Sequence, residues 1–547
     1  MVLHIADLVE HAVDVVPDRT AVVLGDTRLT YADLEARANA FAHHLQDTGV
    51  GAGDRVGLLA RNVPEHVVAM LAVFKVRGTP INLNYRYVEA ELDHVLGDAG
   101  VTALVHERQF SGALGDLVGR HGIEAVTVIE DGSTVQPAHP AVTWEDAVAG
   151  RSVERDFAQR SADDLFIVYT GGTTGYPKGV MWRHEDIWRT LGGGIDFVTY
   201  LPIEEYDQSR AARTSEPIVA VQLGPIMHAN GQWGMLLRLF GGNTLVMFPS
   251  FDPVQIWQAV EAERATGISV IGDAMARPLI EEFERALAAG TPYDASSLRT
   301  VNSAAAIFSA EVKGRWLDAF PDVMLTDIIG ASETGFTGNG RIDRDNLADK
   351  GSVVRIGPET VVLDEDHRLM DVDGEVGSVG LMARRGSIPL GYLNDPEKTA
   401  RTFVTVDGVR YAVPGDWVQI EPDRRLTLLG RGSSCINTGG EKVYPEEVEV
   451  ALKSHPAVFD ALVLGLPDPR YGQQVAALLE PRPGVELDVD DVLAHLRTRI
   501  SGYKVPRTVR VVGQMPRHVT GKADYRSARE LIDPSEDLAA AAGGSSR

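Results

Sequence analysis

Short apolar runs alternate with amphipathic runs along roughly the first half of this 547-residue chain. Segments 33–46 and 65–76 carry apolar residues at helical spacing, whereas 55–60 and 102–106 are short apolar runs typical of buried strands. Strands that alternate with helices form βαβ units, so this pattern predicts an α/β fold with largely parallel sheets.

The strand pattern recurs further along, with predicted strands at 165–169, 218–222, 245–248 and 268–272. A helix is predicted to follow at 277–289. From about residue 353 the strands become shorter and are separated by Gly and Asp, which favours antiparallel hairpins or a small barrel. The pattern of residues 434–530 predicts a compact α+β unit in which a helix begins near Tyr444.

The charge balance excludes one broad class of function. Lys and Arg total 52 and Asp and Glu total 77, so the formal net charge is −25. A general nucleic-acid binder needs a basic face to neutralise phosphates, which this composition disfavours. A phosphate ligand remains compatible, because its site needs only local positive charge and oriented N–H groups.

Cellular location is predicted from three simple features. Cys435 is the single cysteine, so no internal disulfide can form, which suits a reducing cytosol. The N-terminal residues lack a basic patch followed by an apolar run. No apolar stretch approaches the ~20 residues needed to cross a bilayer. A cytoplasmic protein without a membrane span is expected.

The most informative segment is residues 169–180, Tyr-Thr-Gly-Gly-Thr-Thr-Gly-Tyr-Pro-Lys-Gly-Val, which directly follows an apolar strand. Glycines let backbone N–H groups turn toward an anion, threonines add hydroxyl donors, and a lysine adds charge for a polyphosphate. These residues are Thr170, Gly171, Gly172, Thr173, Thr174, Gly175 and Lys178. The loop is not a Walker A motif, because Pro177 separates glycine from lysine. A flexible Gly/Thr hinge is the plain alternative.

Further segments follow in a fixed order: 225–228 (Pro-Ile-Met-His), 302–306 (Asn-Ser-Ala-Ala-Ala), 329–334 (Ile-Gly-Ala-Ser-Glu-Thr), 414–416 (Pro-Gly-Asp), 430–431 (Gly-Arg) and 516–522 (Pro-Arg-His-Val-Thr-Gly-Lys). Together with the glycine-rich loop they resemble the motifs of the adenylate-forming superfamily. That superfamily includes acyl-CoA synthetases, adenylation domains of peptide synthetases and firefly-type luciferases. The resemblance covers nearly the whole chain.

The resemblance implies a domain organisation. A large N-terminal AMP-binding domain (1–430) would contain two βαβ-type subdomains and a small β-barrel-like subdomain. A hinge (431–433) that includes Ser433 would lead to a small mobile α+β C-terminal domain (434–532). Residues 533–547 would form a disordered tail.

The resemblance also implies a nucleotide site. Its predicted contacts are Thr170, Gly171, Gly172, Thr173, Thr174, Gly175, Lys178, Ser303, Ala304, Ala305, Asp327, Ile328, Ile329, Gly330, Ala331, Ser332, Asp416, Arg431 and Lys522. Glu333 would hold Mg²⁺ with Thr173, because a hard cation takes oxygen ligands. Asp327 would accept from the adenine amino group, and Asp416 would accept from both ribose hydroxyls. Taken singly, these carboxylates also suit a helix end, a buried cap and a turn.

Acid and thiol sites are implied in the same way. His228 would border the acyl pocket, whose predicted residues are His228, Asn230, Gly231, Trp233 and Ala304. The tunnel for the thiol of coenzyme A would be lined by Thr438, Gly439, Gly440, Glu441 and Lys442. Lys522 would swing in from the small domain and bridge the attacking carboxylate and the nucleotide. The predicted catalytic residues are Lys522, His228 and Glu333.

Five positions depart from the usual motifs: Gly171, Ile329, Ser332, Pro414 and Ser433. None removes a charged catalytic group. The changes at Ile329 and Ser433 leave nucleotide affinity and hinge kinetics open.

The implied activity is an ATP-dependent acid:CoA ligase that makes an acyl-AMP and then an acyl-CoA, with ATP, Mg²⁺ and coenzyme A. Segments 180–186, 272–278 and 440–447 resemble synthetases for bulky steroid side-chain or diterpenoid acids. A medium- or long-chain fatty acid is the alternative substrate, and a discrete carrier protein is an alternative acceptor. A catalytically silent nucleotide-binding scaffold is disfavoured by the retained charged residues. Expected partners are a small carboxylic acid, ATP and CoA, with a homodimer left open.

Overall fold

The computed structural model describes residues 3–170, 176–192, 194–196, 199–306, 308–344, 347, 353–431, 436–438, 441–468, 472–500, 502–517 and 523–532. Within these ranges, no helix combines the length and the apolar character needed to cross a bilayer.

The first part of the chain alternates strands and helices as predicted. Its elements are α1 (Ile5–Val15), β1 (Thr20–Leu24), β2 (Thr27–Thr30), α2 (Tyr31–Asp47), β3 (Arg55–Leu59), α3 (Pro64–Lys75), β4 (Thr79–Asn82), α4 (Glu89–Ala99), β5 (Ala103–Glu107), α5 (Ser111–Leu114), α6 (Leu117–Arg120), β6 (Ala125–Ile129), β7 (Val142–Thr143) and α7 (Trp144–Val148). Helix α2 begins where Thr30 and Asp33 form a capping box, which satisfies two backbone N–H groups at the helix start.

The middle part continues the alternation. Its elements are β8 (Leu165–Thr170), β9 (Lys178–Arg183), α8 (His184–Ile187), α9 (Asp207–Ala212), β10 (Val219–Gln222), α10 (Ala229–Phe240), β11 (Thr244–Met247), α11 (Pro253–Ala262), β12 (Gly267–Val270), α12 (Gly272–Ala288), β13 (Thr300–Ala304), α13 (Ala310–Ala319), β14 (Met324–Ala331) and β15 (Gly335–Ile342).

The predicted start of the helix at residue 277 is wrong, because α12 begins at Gly272 and contains Pro278. The extra turn is held by a tertiary contact: the Gly272 N–H donates to the Ser303 hydroxyl at 3.2 Å. In the same turn, the side chain of Asp273 accepts a hydrogen bond from the backbone N–H of Ser309 at 2.8 Å. Local sequence carries no sign of these distant partners.

Short strands follow, as predicted for an antiparallel region. The elements are β16 (Val353–Ile356), β17 (Thr360–Leu363), β18 (Val379–Arg384), β19 (Gly391–Tyr392), α14 (Pro396–Thr402), β20 (Phe403–Val406), β21 (Val409–Ala412), β22 (Asp416–Glu421) and β23 (Arg425–Arg431). The C-terminal α+β unit contains β24 (Ile436–Thr438), β25 (Glu441–Val443), α15 (Pro445–Lys453), β26 (Val458–Asp468), β27 (Gly472–Pro481), α16 (Val489–Arg497), β28 (Thr508–Val511) and α17 (Tyr525–Ile532).

Three sheets organise these elements. The first has the order β2-β1-β11-β10-β12-β13-β14-β15-β16-β23-β22-β18-β21-β20, with β17 paired to β18. Strands β1, β11, β10, β12, β13 and β14 are parallel, and pairing is antiparallel from β15 onward. The second sheet has the order β19-β9-β8-β4-β3-β5-β6-β7, and the third has β25-β24-β27-β26 with β28 beside β27.

The largest core lies between the first two sheets. It is built from the apolar faces of α1, α2, α3 and α10 together with inward-facing strand residues, and includes the fully buried Phe41, Phe74 and Trp182. A second core packs α11, α12 and α13 against the outer face of the first sheet. The C-terminal unit has cores of its own. The predicted α/β class is confirmed. Because ligands of such sheets bind at the carboxyl ends of the strands, a site is expected at the ends of β4, β8, β10, β13 and β14.

Candidate active site

The ends of the predicted phosphate loop are held together by an antiparallel strand pair. Strand β8 leads into the loop, β9 leads out, and Thr170 lies opposite Lys178. The intervening Gly171, Gly172, Thr173, Thr174 and Gly175 lie outside the described residues. On the β9 side, the His94 ring stacks on Tyr176 with centroids 4.6 Å apart, and its Nε2–H donates to the Pro177 carbonyl at 3.0 Å.

The predicted phosphate-binding lysine is engaged in an ion pair. Lys178 Nζ contacts the Asp395 carboxylate, which also caps the first turn of α14. The hydrogen bond from Lys178 lowers the pKa of Asp395. Because both side chains are partly exposed, an incoming triphosphate can compete with Asp395 for the ammonium group.

A buried asparagine joins the phosphate-loop strand to the predicted acyl segment. The Asn82 Nδ2 group donates to the carbonyls of Tyr169 at 3.0 Å and Met227 at 2.6 Å. Its Oδ1 accepts from the backbone N–H of Tyr169 at 2.8 Å. Asn82 therefore places the last residues of β8 beside residues 225–228. The sequence reasoning missed Asn82, although a polar residue at the carboxyl end of a parallel strand is a usable signal.

A second buried asparagine supports the acyl segment from the other side. Asn62 Oδ1 accepts from the Ile226 N–H at 2.8 Å, and its Nδ2 lies 3.4 Å from the Gly224 carbonyl. His228 then forms the N-cap of α10 and is half-buried. At Gly231 an added Cβ would lie 2.1 Å from the Pro225 carbonyl oxygen, so this turn requires glycine.

The other predicted acyl residues lie on the less buried face of α10 and on a neighbouring strand. Asn230 is exposed and Trp233 is half-buried. The Trp233 ring meets Trp182 of β9 edge to face, with centroids 6.4 Å apart. Ala304 ends β13 and is half-buried. The face of α10 that carries Trp233 is thus directed toward the strand that leaves the phosphate loop.

Glu333, the predicted metal ligand, is buried beside the same strands. The Tyr392 hydroxyl donates to Glu333 Oε1 at 2.7 Å, and Tyr392 pairs with Val180 of β9 through β19. The Trp182 Nε1–H donates to the Ser332 carbonyl at 2.9 Å. These contacts fasten the 329–334 segment to the strand that carries Lys178.

The donor set fits Mg²⁺ in the manner expected for a nucleotide-bound ion. Among the described residues, no group of three or more His, Cys, Asp or Glu side chains is arranged to hold a metal. Mg²⁺ commonly takes one or two protein oxygens and completes its shell with phosphates and water. A single carboxylate from Glu333, with the Thr173 hydroxyl as a predicted second ligand, matches that pattern.

The predicted adenine-side segments lie on adjacent parallel strands. Ser303 of β13 faces Asp327 of β14, and Ala304 faces Ile328. Ala305 adopts a left-handed conformation with φ of 69°, which is uncommon for a residue with a Cβ. The remaining predicted residues follow on and after β14: Ile329, Gly330, Ala331 and Ser332. Asp327 binds Lys313 Nζ through Oδ2 at 2.7 Å.

The predicted ribose residue and the predicted phosphate arginine are neighbours in the first sheet. Asp416 begins β22, Arg431 ends β23, and the two positions are paired in register. Asp416 is buried. Next to it, the Trp417 ring lies 6.0 Å from the Tyr444 ring of the C-terminal unit.

The predicted C-terminal residues are only partly within the described ranges. Thr438 is buried and pairs with Glu441 in the β24–β25 hairpin, which also contains Lys442. Gly439, Gly440, Ser433 and Lys522 lie outside the described residues.

A charged contact that the sequence reasoning missed joins the two domains. Glu311 of α13 accepts from Arg277 of α12 and from Arg482 of the C-terminal unit, each at 2.8 Å to Oε2. Arg277 also lies 5.0 Å from the centre of the Phe459 ring. Burial alone would raise the pKa of Glu311, but the hydrogen bonds from Arg482 and Arg277 lower it to about 2.

Comparison with known proteins agrees with this arrangement. The family model described as AMP-binding enzyme matches residues 9–393, and the model for the AMP-binding enzyme C-terminal domain matches residues 447–522. A solved structure of ATP-bound MatB from Rhodopseudomonas palustris has a TM-score of 0.80 and 25% identity, covering 97% of this chain and 99% of that chain.

Two curated relatives are similar over almost their full length. A 3-oxocholest-4-en-26-oate–CoA ligase of Rhodococcus rhodochrous is 46% identical over 544 residues, 98% of either chain. A medium/long-chain-fatty-acid–CoA/3-oxocholest-4-en-26-oate–CoA ligase of Mycolicibacterium smegmatis is 47% identical over 543 residues, again 98% of either chain.

Proposed function

The chain belongs to the AMP-binding enzyme family, and we propose that it activates the side-chain carboxylate of a 3-oxo steroid acid. It is an AMP-forming acid–thiol ligase that uses ATP, Mg²⁺ and coenzyme A.

One observation carries the reaction geometry: the Asn82 amide bonds both to the strand that enters the phosphate loop and to the carbonyl just before His228. An acid that enters beside His228 therefore meets a triphosphate bound at residues 170–178 over a short distance. Holding two reactants together in this way replaces a bimolecular encounter with an oriented one.

In the first step a carboxylate oxygen of the acid attacks the α-phosphorus of ATP. The bond to the bridging oxygen breaks, and pyrophosphate leaves with that electron pair. Lys178, released from Asp395, neutralises the departing phosphates, while Lys522 bridges the carboxylate and the α-phosphate. Charge placed where negative charge develops is worth about 10²–10³ in rate.

Mg²⁺ bound at Glu333 and Thr173 would supply charge neutralisation on the phosphates. The Tyr392 hydrogen bond to Oε1 fixes the orientation of that carboxylate before any ligand binds. The Asp416 carboxylate is buried at the start of β22, and it accepts hydrogen bonds from the ribose hydroxyls.

In the second step the thiol sulfur of coenzyme A attacks the acyl carbonyl of the acyl-AMP. The thiol proton passes to solvent, the bond between the acyl carbon and the phosphate oxygen breaks, and AMP leaves with that electron pair. Thr438, Gly439, Gly440, Glu441 and Lys442 line the path of the thiol. The C-terminal domain moves about the hinge at 431–433 between the two steps.

The choice of acid rests on the relatives and on side-chain size. Both relatives are named for the 3-oxocholest-4-en-26-oate substrate. Residues 303–306 are Ser-Ala-Ala-Ala, and such small side chains are compatible with a wide acid beside β13. A medium- or long-chain fatty acid is the second candidate, favoured by the name of the Mycolicibacterium smegmatis relative.

The test is pyrophosphate release with ATP and a matched set of acids: a 3-oxo steroid side-chain acid, a diterpenoid acid, and saturated medium- and long-chain fatty acids. We expect the steroid acid to have the highest kcat/KM. A higher value for the fatty acids assigns the chain to the second candidate, and no turnover of any acid overturns the proposal.

The acceptor is tested by following thioester formation with free coenzyme A and with a carrier protein bearing phosphopantetheine. We expect coenzyme A to be the better acceptor, and preference for the carrier protein would contradict this part of the proposal. We also propose a cytoplasmic location, supported by the single Cys435. A homodimer is the assembly to test by sedimentation.

A further inference from the structure

One face of helix α10 packs into the largest core, and the other face keeps accessible surface. The residues of the second face are Asn230, Trp233, Gly234, Leu237 and Arg238. Their positions follow the helical spacing i, i+3, i+4, i+7 and i+8, so they form one continuous stripe along the helix. The stripe begins with two of the predicted acyl residues and ends at an arginine.

That arginine has no partner. The Arg238 guanidinium makes no hydrogen bond or ion pair with any residue that the structure describes. Burial lowers the pKa of Arg238, so the group lies deep within the fold. The side chain is nevertheless only half-buried. A group that is both deep and accessible borders an internal space, and here that space lies along the stripe.

A second donor on the stripe is also unpaired. The Trp233 Nε1–H is buried and has no acceptor in the described part of the chain. Arginine and tryptophan side chains can only donate hydrogen bonds. Because donors left unpaired inside a fold cost stability, two of them on one stripe indicate a ligand that brings acceptor oxygens.

The length of the stripe suits an acid with a second polar group far from its carboxylate. At about 1.5 Å per residue, Arg238 lies roughly 15 Å beyond His228 along the helix axis. A steroid acid whose carboxylate enters beside His228 brings its ring system along the stripe and its 3-oxo oxygen toward Arg238. A saturated fatty acid brings only methylene and methyl groups there and leaves the guanidinium without a partner.

We propose that Arg238 is a specificity-determining residue whose guanidinium donates a hydrogen bond to the 3-oxo oxygen at the far end of the steroid acid. The inference rests on the proposed function, in which the carboxylate of the acid enters beside His228. A site that is built to hydrogen-bond a group of its substrate rejects an analogue that lacks the group, because the donor then stays unpaired. Selection of the acid thus takes place at the end opposite to the reacting carboxylate.

The experiment compares two steroid side-chain acids that have the same ring system and differ only in the 3-oxo group. For the native protein, we expect kcat/KM for pyrophosphate release to be about 10- to 100-fold higher with the 3-oxo acid, as for a hydrogen bond to a charged group. Arg238→Met should bring this ratio to within about threefold of one, mainly through a higher KM for the 3-oxo acid. The value for the 3-deoxy acid should stay the same or rise.

A conservative variant shows whether the effect comes from a donor or from the bulk of the side chain. Arg238→Lys keeps a charged donor and should retain part of the preference for the 3-oxo acid, whereas Arg238→Met should retain none. Equal losses in the two variants would contradict recognition by a hydrogen-bond donor at this place.

The matched control is Arg19→Met. Arg19 is also half-buried and also lies near the end of α10, but its guanidinium donates to the carbonyls of Gly242, Ala212 and Ser215 at 2.9–3.0 Å. Arg19→Met should lower the thermal stability and leave the ratio between the two acids unchanged. Arg238→Met removes an unpaired group, so its thermal stability should be equal to that of the native protein or higher.

If Arg238→Met does not fold, Arg238→Gln takes its place. The glutamine amide is a neutral donor on a shorter side chain, so this variant should lower the ratio in the same direction as Arg238→Met.

The outcomes separate the two proposals. If the native protein releases no pyrophosphate with any acid, the proposed function fails. If it activates only fatty acids, the steroid assignment and the role of Arg238 fail together. If it activates the steroid acids without discriminating between them, or if the folded Arg238 variants keep the native ratio, the role of Arg238 is overturned while the ligase assignment stands.

Discussion

The acyl side and the nucleotide side of the site are fastened by different chemistry. On the acyl side, the buried amides of Asn62 and Asn82 hold residues 224–227 and the end of β8 through neutral hydrogen bonds. On the nucleotide side, ion pairs take part as well: Lys178 pairs with Asp395 and Lys313 with Asp327, and nearby Glu311 pairs with two arginines between the domains.

This difference matches what each side has to do. Neutral bonds between buried groups depend little on salt and do not exchange with an anionic ligand, so they preserve geometry. Ion pairs beside a polyphosphate can release a cation to the ligand, and they respond to pH and ionic strength. We expect the acyl side to behave as a fixed frame and the nucleotide side as a set of exchangeable charges.

The largest effect is expected from removing the predicted catalytic lysine. Lys522→Ala should reduce pyrophosphate release by about 10²–10³ or more, because the developing charge loses its partner. Thioester formation from supplied acyl-AMP should change by less than about threefold. Normal pyrophosphate release by this variant would show that Lys522 does not act in the adenylation step.

Breaking the neutral frame should have the next largest effect. Asn82→Ala leaves the Tyr169 N–H and two carbonyls without partners, at about 1–3 kcal/mol for each buried group. The displaced loop should lower kcat/KM about 10²-fold. The loss should be the same at low and high salt, and a strong salt dependence would contradict the distinction between the two sides. Asn62→Ala is the milder control, because the bonds described for Asn62 go to Gly224 and Ile226 and not to β8.

The third largest effect is expected from replacing Glu333, the predicted metal ligand. Glu333→Gln keeps the shape and the Tyr392 contact but removes the charge, so the KM for Mg-ATP should rise about tenfold. Tyr392→Phe removes the hydrogen bond to Oε1 but keeps the Glu333 charge, so it should have a smaller effect. Magnesium titrations of the two variants test this order, and an unchanged magnesium dependence in Glu333→Gln would reject the ligand assignment.

The ion pairs of Glu311 with Arg277 and Arg482 predict that the stability of the fold depends on pH. Because the folded-state pKa of Glu311 is lowered from 4.5 to about 2, its stabilisation is complete above pH 4.5 and is lost as the pH falls toward 2. Since the side chain is 34% exposed, solvent screening limits the effect of Glu311→Gln to about 1 kcal/mol. Thermal unfolding should show this difference at pH 5–8 and a shrinking difference below pH 4.5. The exposed pair of Asp318 with Arg344 is the control, and Asp318→Asn should have a smaller effect.

The smallest effect is expected from releasing Lys178. Asp395→Asn removes the anion that competes with the triphosphate, so the KM for ATP should fall by about two- to threefold at low salt. The gain should vanish at high salt. A higher KM at low salt would mean that Asp395 orients Lys178 for the phosphates instead of competing with them.

Much of this site was predictable where the signal is local. The strand β8, the helix α2 and the order of the motifs all depend on neighbouring residues. The start of α12 was mispredicted, because its first turn depends on Ser303, which lies 31 residues away. Asn62, Asn82, Tyr392, Lys313 and Arg482 were missed for a similar reason.

The sequence by itself determined the α/β class, the family motifs and the ligase chemistry, since apolar periodicity and backbone flexibility act over a few residues. Tertiary structure alone decided which polar side chains hold the motifs in position. Asn82 meets a carbonyl 145 residues later, and Arg482 meets a carboxylate 171 residues earlier. Such pairings arise from the packing of whole sheets and domains, and a polar residue within a strand or helix carries no local mark of its distant partner.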